Sequence, residues 1–296
     1  MSVPLAYLTV IAIWATTPLA IKWSALGTGF AFAVLARMAI GVVLAVLILA
    51  LWRVELPMHG KARRTYLAGG LGLFGAMILT YWGAQFITSG LVSVLFGLAP
   101  LVTSLLAALW LGERALAPAK LAGMLLGLAG LGLVFLAEQG VGGAHALAGM
   151  AALLLAVFIY SASLVWIKRI GDDSPPLAIT AGTLAVSLPL FLLVWLWVDG
   201  NVPAQVPLVA GGAIVYLGVF GSVLGFSLYY YIVRHVDTGR VALITLITPV
   251  LALLLGILLN GETVPLRVWL GAGLIVLGLS IYQGSALAGM LAPGRK

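Results

Sequence analysis

Apolar runs long enough to cross a bilayer recur about ten times along this chain, and no other feature restricts its fold as strongly. They fall near residues 4–21, 30–51, 65–87, 90–111, 121–138, 147–167, 177–198, 208–233, 240–259 and 266–283. A spanning helix needs ~20 consecutive apolar residues. The third and fourth runs are nearly continuous and too long for a single crossing, so they are divided at Thr88-Ser89. Short loops with turn-forming residues separate most of the others, among them Gly27-Thr28-Gly29, Asp172-Asp173-Ser174-Pro175-Pro176 and Asp199-Gly200-Asn201. A soluble alternative fails on composition. Of the 296 residues 63% are hydrophobic and 8% charged, against roughly 25% charged in soluble domains. No soluble core of this size hides that much apolar surface.

Ten spans place both termini on one side of the membrane, and the basic residues test that count. Arg53, Lys61, Arg63, Arg64, Arg114, Lys120, Lys168, Arg169, Arg234, Arg240, Arg295 and Lys296 fall on the side of the termini. Lys22 and Arg267 fall on the other, and Arg37 lies inside the second span. The positive-inside rule then makes the termini cytoplasmic in a multi-pass protein of the cell (inner) membrane. This placement explains the net charge of +7 without any nucleic-acid partner. Met1 to Ala6 carry no basic residue, so the first run is read as a retained span and not a cleaved signal. Cysteine is absent, which removes disulfides and thiolate chemistry.

The sequence repeats itself. Moved by 149 positions, Gly72 falls on Gly221, Tyr81 on Tyr230, Gly90 on Gly239, Pro100 on Pro249 and Gly112-Glu113 on Gly261-Glu262. After a slip of one residue, Gly123 and Gly130 fall on Gly271 and Gly278. A shift of 146 sets Lys22 on Lys168. The chain therefore divides into residues 1–146 and 147–296, each with five spans. Five is odd, so the second half enters the membrane from the opposite side. Inverted repeats of this kind recur in secondary transporters, with the solute site at the repeat interface near midplane.

The paired prolines, the Gly-Glu turns and the glycine-rich helix after each resemble the EamA-type repeats of the drug/metabolite transporter (DMT) superfamily. The stretch from Trp14 to Lys22 and the intramembrane Arg37 fit the first repeat of that family. The resemblance covers nearly the whole chain. It implies an all-α membrane protein of ten helices in two inverted five-helix repeats, and metabolite transport, commonly export. Within the superfamily the chain is most similar to YddG-type exporters of aromatic and other neutral amino acids. The second repeat departs from the first at Arg37, whose counterpart under the 146 shift is Thr183.

The expected function is thus secondary transport of small metabolites by alternating access through a central cavity. Other metabolite classes, a channel and an intramembrane enzyme are the competing readings. Expected cavity residues are Trp14, Thr17, Tyr81, Trp82, Tyr160, Ser163, Trp166, Tyr230 and Thr245, because a buried phenol, indole or hydroxyl in lipid needs a hydrogen-bond partner. Interface anchoring is the alternative for the aromatics. Pro100 and Pro249 are expected near the middle of their helices, as hinges or as static kinks. Lys22 and Arg37 either snorkel to the interface or meet a substrate carboxylate.

No Asp or Glu is expected buried within a span, and the Gly-Glu pairs read as helix C-caps. The histidines lack metal-ligand spacing, and neither HExxH nor a Walker A sequence occurs. No enzyme chemistry, metal or cofactor is therefore expected. Gly123 with Gly127, and Gly221 with Gly225, read as intramolecular packing positions. The expected partners are the small-molecule substrate, an amino acid or related metabolite, and membrane lipid, with the chain a monomer or weak dimer.

Overall fold

The computed structural model describes residues 3–112, 118–141, 143–225, 228, 232, 238–282 and 284; the side chains of 138–141, 143 and 238–243 are outside that description. The described residues form helices α1 (Val3–Ser24), α2 (Phe30–Trp52), α3 (Gly60–Gly83), α4 (Ser89–Phe96), α5 (Ala99–Leu111), α6 (Pro118–Val141), α7 (Gly143–Ile170), α8 (Pro176–Val198), α9 (Leu208–Tyr216), α10 (Thr238–Asn260) and α11 (Leu266–Tyr282). A π-helical segment, Leu217–Leu224, continues α9. Seven stretches are long and apolar enough to span a membrane, with α4 and α5 together forming one of them. Three further apolar stretches, Leu208–Leu224, Ile244–Asn260 and Leu266–Tyr282, complete ten. We call the face at which α1 starts the near face and the opposite one the far face.

Local chemistry sets the helix ends. The His59 side chain caps α3 by accepting from the Ala62 N–H, so this helix starts five residues before the apolar run. Gly112 and Gly261 adopt φ of 67° and 61°, the left-handed conformation that ends α5 and α10. The glycine half of each Gly-Glu pair is therefore a C-cap, as its sequence suggests.

The fourth span differs from expectation. It is broken at Gly97-Leu98 by a tight turn, in which the Leu98 N–H donates to the Leu95 carbonyl at 3.1 Å. Pro100 thus lies in the first turn of α5, where its missing N–H leaves no helical bond unmade. Pro249 does lie inside a continuous helix, α10. The break and the proline face each other: the Pro249 ring lies 3.5 Å from where a Cβ on Gly97 would project.

The helices close on one another through glycine. In lipid, small residues permit backbones to approach where no hydrophobic force drives helices together. A Cβ on Gly130 would lie 2.5 Å from the Gly271 carbonyl, and one on Gly271 would lie 2.7 Å from the Gly130 carbonyl. Gly123 and Gly278 meet in the same reciprocal way. These four glycines weld α6 to α11, one helix from each repeat. Another large contact between repeats runs α3 against α7, with Gly83 set against the Gly149 carbonyl and Gly72 against Ser163. Gly127 meets Leu101 of the same chain, as an intramolecular packing position should.

Gly130→Val should lower stability by roughly 1–3 kcal/mol through overpacking. Gly132→Val, which points into open space, should change it far less. Thermal unfolding in detergent compares the two directly.

Candidate functional site

The interior of the first repeat holds one deeply placed charge. Arg37 of α2 is 5% exposed. Its Nε donates to Ser222 Oγ at 3.2 Å and its Nη1 points to Tyr81 Oη at 3.5 Å. Tyr81 comes from α3 in the first repeat and Ser222 from the π segment in the second, so the guanidinium ties the halves together. The π segment makes the approach possible. Gly218 packs directly on Ile40, and Gly221 lies beneath the guanidinium, where a Cβ would come within 3.3 Å of Nη2. Within the π segment, Ser222 Oγ donates to the Leu217 carbonyl at 3.0 Å. Both oxygen partners of Arg37 are neutral. Neither of the two ion pairs among the described residues includes it. A charge at this depth costs about 2.5–3.5 kcal/mol on insertion scales, so such residues commonly mark solute pathways.

A second polar cluster sits at the far face. Lys22 Nζ, at the end of α1, donates to the Ile87 carbonyl at 2.8 Å and lies 3.5 Å from Glu262 Oε1. The Glu262 carboxylate also accepts from the Ser89 N–H at 2.9 and 3.0 Å, from Ser89 Oγ at 3.0 Å and from Asn260 Nδ2 at 2.9 Å. Its side chain is 6% exposed. Glu262 lies beyond the end of α10, at the span end where the sequence places it, and the turn after the Gly261 C-cap directs its side chain inward onto the start of α4. Gly256 makes room, because a Cβ there would meet this carboxylate and Ser89 Oγ. Trp23 Nε1 donates to Asn260 Oδ1 at 3.0 Å, completing the cluster.

At the far-face end of α1 lies a cavity of about 260 Å³, lined by Ile21, Lys22, Trp23, Ala25, Leu26, Tyr81, Ala84, Gln85 and Asn260. Tyr81 is among the residues lining this cavity, and its hydroxyl meets Arg37.

The structure disperses the other expected residues. Trp82 is half-buried and packs edge-on to Phe86, which stacks on His145. Trp14 packs beside the cluster of Ala6, Val10, Ile11 and Ile244. Thr17 Oγ1 donates to the Ile13 carbonyl of its own helix. Tyr160 and Thr245 are half-buried, on α7 and α10. Ser163 does not face a cavity: its Oγ donates to the Ala68 carbonyl at 2.9 Å, filling the α3–α7 contact. Trp166 turns outward, 56% exposed, beside Trp110 and Arg169 at the surface. Tyr230 lies outside the described residues. No group of metal-binding side chains occurs among the described residues.

Ser222, Asn260, Glu262 and Tyr216 escaped the sequence reading. Tyr216 Oη lies 2.6 Å from Thr16 Oγ1, joining α9 to α1. For Glu262 a signal existed in the repeated Gly-Glu pair, but the glycine's cap explained the pair without it.

Two five-span halves, related by inversion and meeting at a buried cation, are matched by one family model, that of the EamA-like transporter family, over residues 1–136 and again over 147–282. The chain belongs to the EamA-like transporter family. It is 27% identical over 220 residues to an uncharacterized transporter of Archaeoglobus fulgidus, covering 71% of this chain and 75% of that one. It is 31% identical over 103 residues to the uncharacterized inner membrane transporter YedA of Escherichia coli, about a third of each chain (34%). It is 29% identical over 163 residues to a probable amino-acid metabolite efflux pump of Salmonella typhimurium, covering 52% of this chain and 54% of that one. A crystal structure at 24% identity superposes with a TM-score of 0.67 over 98% of both chains, which shows the shared fold. Within this EamA-type frame, Arg37, Tyr81 and Ser222 occupy the junction of the repeats.

Ser222→Ala removes a bond to a buried charge and should cost about 1.5–3 kcal/mol. Ser280→Ala breaks only a bond to the Val276 carbonyl of its own helix and should cost less. Denaturation of the purified variants checks the order.

Proposed function

We propose that this EamA-family transporter exports small metabolites bearing a carboxylate, in particular aromatic and other neutral amino acids. One observation carries the reading: Arg37 is a buried cation whose partners among the described residues are neutral oxygens at the junction of the repeats. A guanidinium offers five N–H donors in a planar fork suited to a carboxylate. Tyr81 and the apolar lining residues beside it give an aromatic or aliphatic side chain a surface to contact. The similarity to a probable amino-acid metabolite efflux pump agrees with this class and with export. In the order of spans along the sequence, twelve basic residues fall on the side of the termini against two on the other, which favours cytoplasmic termini in the cell membrane and an external far face. Each chain carries both repeats, which suits a functional monomer.

Counterflow in proteoliposomes over a panel of amino acids, their amides and their decarboxylated amines tests the substrate class. Zwitterionic neutral amino acids should exchange saturably. Arg37→Gln should raise KM about tenfold or more, the effect of losing ~1.4 kcal/mol of binding. Exchange of amines and acids at equal rates by the native chain would overturn the carboxylate reading.

Switching between faces is assigned to the paired helix defects. In the first repeat the span is broken at Gly97-Leu98 ahead of Pro100; in the second, Pro249 sits in an unbroken helix against that break. A proline lacks one backbone donor, so α10 has a weak point at this crossing. Pro249→Ala restores a helical bond and should slow turnover while leaving substrate affinity and folding intact. Pro100→Ala, in a first turn with no bond to restore, should slow it less. Wild-type turnover in both variants would make the prolines static.

A further inference from the structure

We propose that Lys22 is a second carboxylate-binding position, at the far-face cavity, and that Glu262 is its resident counter-ion, displaced by the substrate's own carboxylate as the far face opens. The inference rests on the amino-acid reading above and extends it from the interior site to the exit.

Three observations converge. First, the Lys22–Glu262 pair spans the repeats, since Lys22 ends α1 and Glu262 follows α10. While it holds, Glu262 also grips the first backbone N–H and the hydroxyl of Ser89, fastening the start of α4 to the end of α10. Separating these elements requires the carboxylate to let go. Second, Lys22 keeps exposure to the cavity that Tyr81, Gln85 and Asn260 also line, whereas the Glu262 side chain is nearly sealed. A ligand entering there meets the cation first. Third, Tyr81 links the two positions, since it is among the residues lining the cavity beside Lys22 and its hydroxyl meets Arg37. A carboxylate leaving Arg37 therefore passes one phenol before reaching the next positive charge.

Exchange of one carboxylate for another at Lys22 keeps the ammonium paired throughout. A buried charge is costly chiefly when left alone, so substitution of partners is a cheaper route to opening than simple rupture. Glu262 in turn retains Ser89 and Asn260 as donors after Lys22 is taken. A substrate without a carboxylate offers Lys22 nothing in return for Glu262, so opening becomes selective for carboxylates.

The chain has no cysteine, so one introduced thiol reports alone. Ala84 lines the cavity and is 1% exposed, and Ala84→Cys is a small change. Maleimide labelling of this variant in nanodiscs should be slow at rest. It should accelerate about tenfold with phenylalanine but not with phenylalaninamide, the response expected of a ligand that binds one state more tightly. Adding Glu262→Gln, which keeps an acceptor for Ser89 but not the charge, should make labelling fast without ligand. Adding Lys22→Gln should abolish the difference between acid and amide. Thermal unfolding of each variant confirms that it is folded. Equal acceleration by acid and amide, in a chain that still exchanges amino acids, overturns this inference alone. So does resting labelling unchanged by Glu262→Gln. If counterflow shows no amino-acid exchange at all, the substrate reading fails, and carboxylate displacement at Lys22 fails with it.

Discussion

Close approach of helix backbones at glycine is the constraint on which this structure depends. Lipid supplies little hydrophobic drive between helices, so contact must come from shape and from polar groups that lipid cannot satisfy. Gly123, Gly130, Gly271 and Gly278 let α6 and α11 meet backbone to backbone. The polar sites use the same device. Gly218 and Gly221 press the π segment onto α2, so that Ser222 reaches Arg37. Gly256 leaves the space in which Glu262 reaches Ser89. With side chains at these positions the polar groups would stand apart, and two buried charges would lose partners.

The repeats share a plan but not a state. Arg37 has no basic counterpart, and Thr183, at the corresponding place, packs against Gly69 of α3. The span carrying Pro100 is broken, whereas the one carrying Pro249 is continuous. The broken span and the continuous one meet where Gly97 faces Pro249, so a change in either helix is felt by the other.

Much of the fold was legible because its signals are long. Runs of spanning length and a repeat anchored on Pro and Gly do not depend on side-chain detail, and they place the described helices to within a few residues. Even so, α3 begins ahead of its apolar run, because a cap at His59 acts where hydropathy is silent. The site was legible only in part. Tyr81, Lys22 and Arg37 stand out as polar groups in apolar helices. Ser163 stands out equally, yet its hydroxyl is spent on a backbone carbonyl, and Trp166 faces outward. Sequence gives depth in the membrane but not the direction in which a side chain points. Glu262 shows the converse, since a residue beyond a helix end is buried by the fold of its turn.

The reciprocity of the α6–α11 contact reaches back to the origin of the chain. Gly123 touches Gly278 and Gly130 touches Gly271, while the repeat equates Gly123 with Gly271 and Gly130 with Gly278. Exchanging the halves therefore turns one contact into the other. A surface with that property is self-complementary. Two half-length copies inserted in opposite directions would pair along this same seam, and with both halves in one chain a lone arginine can stand in one half without its mirror image facing it across the axis.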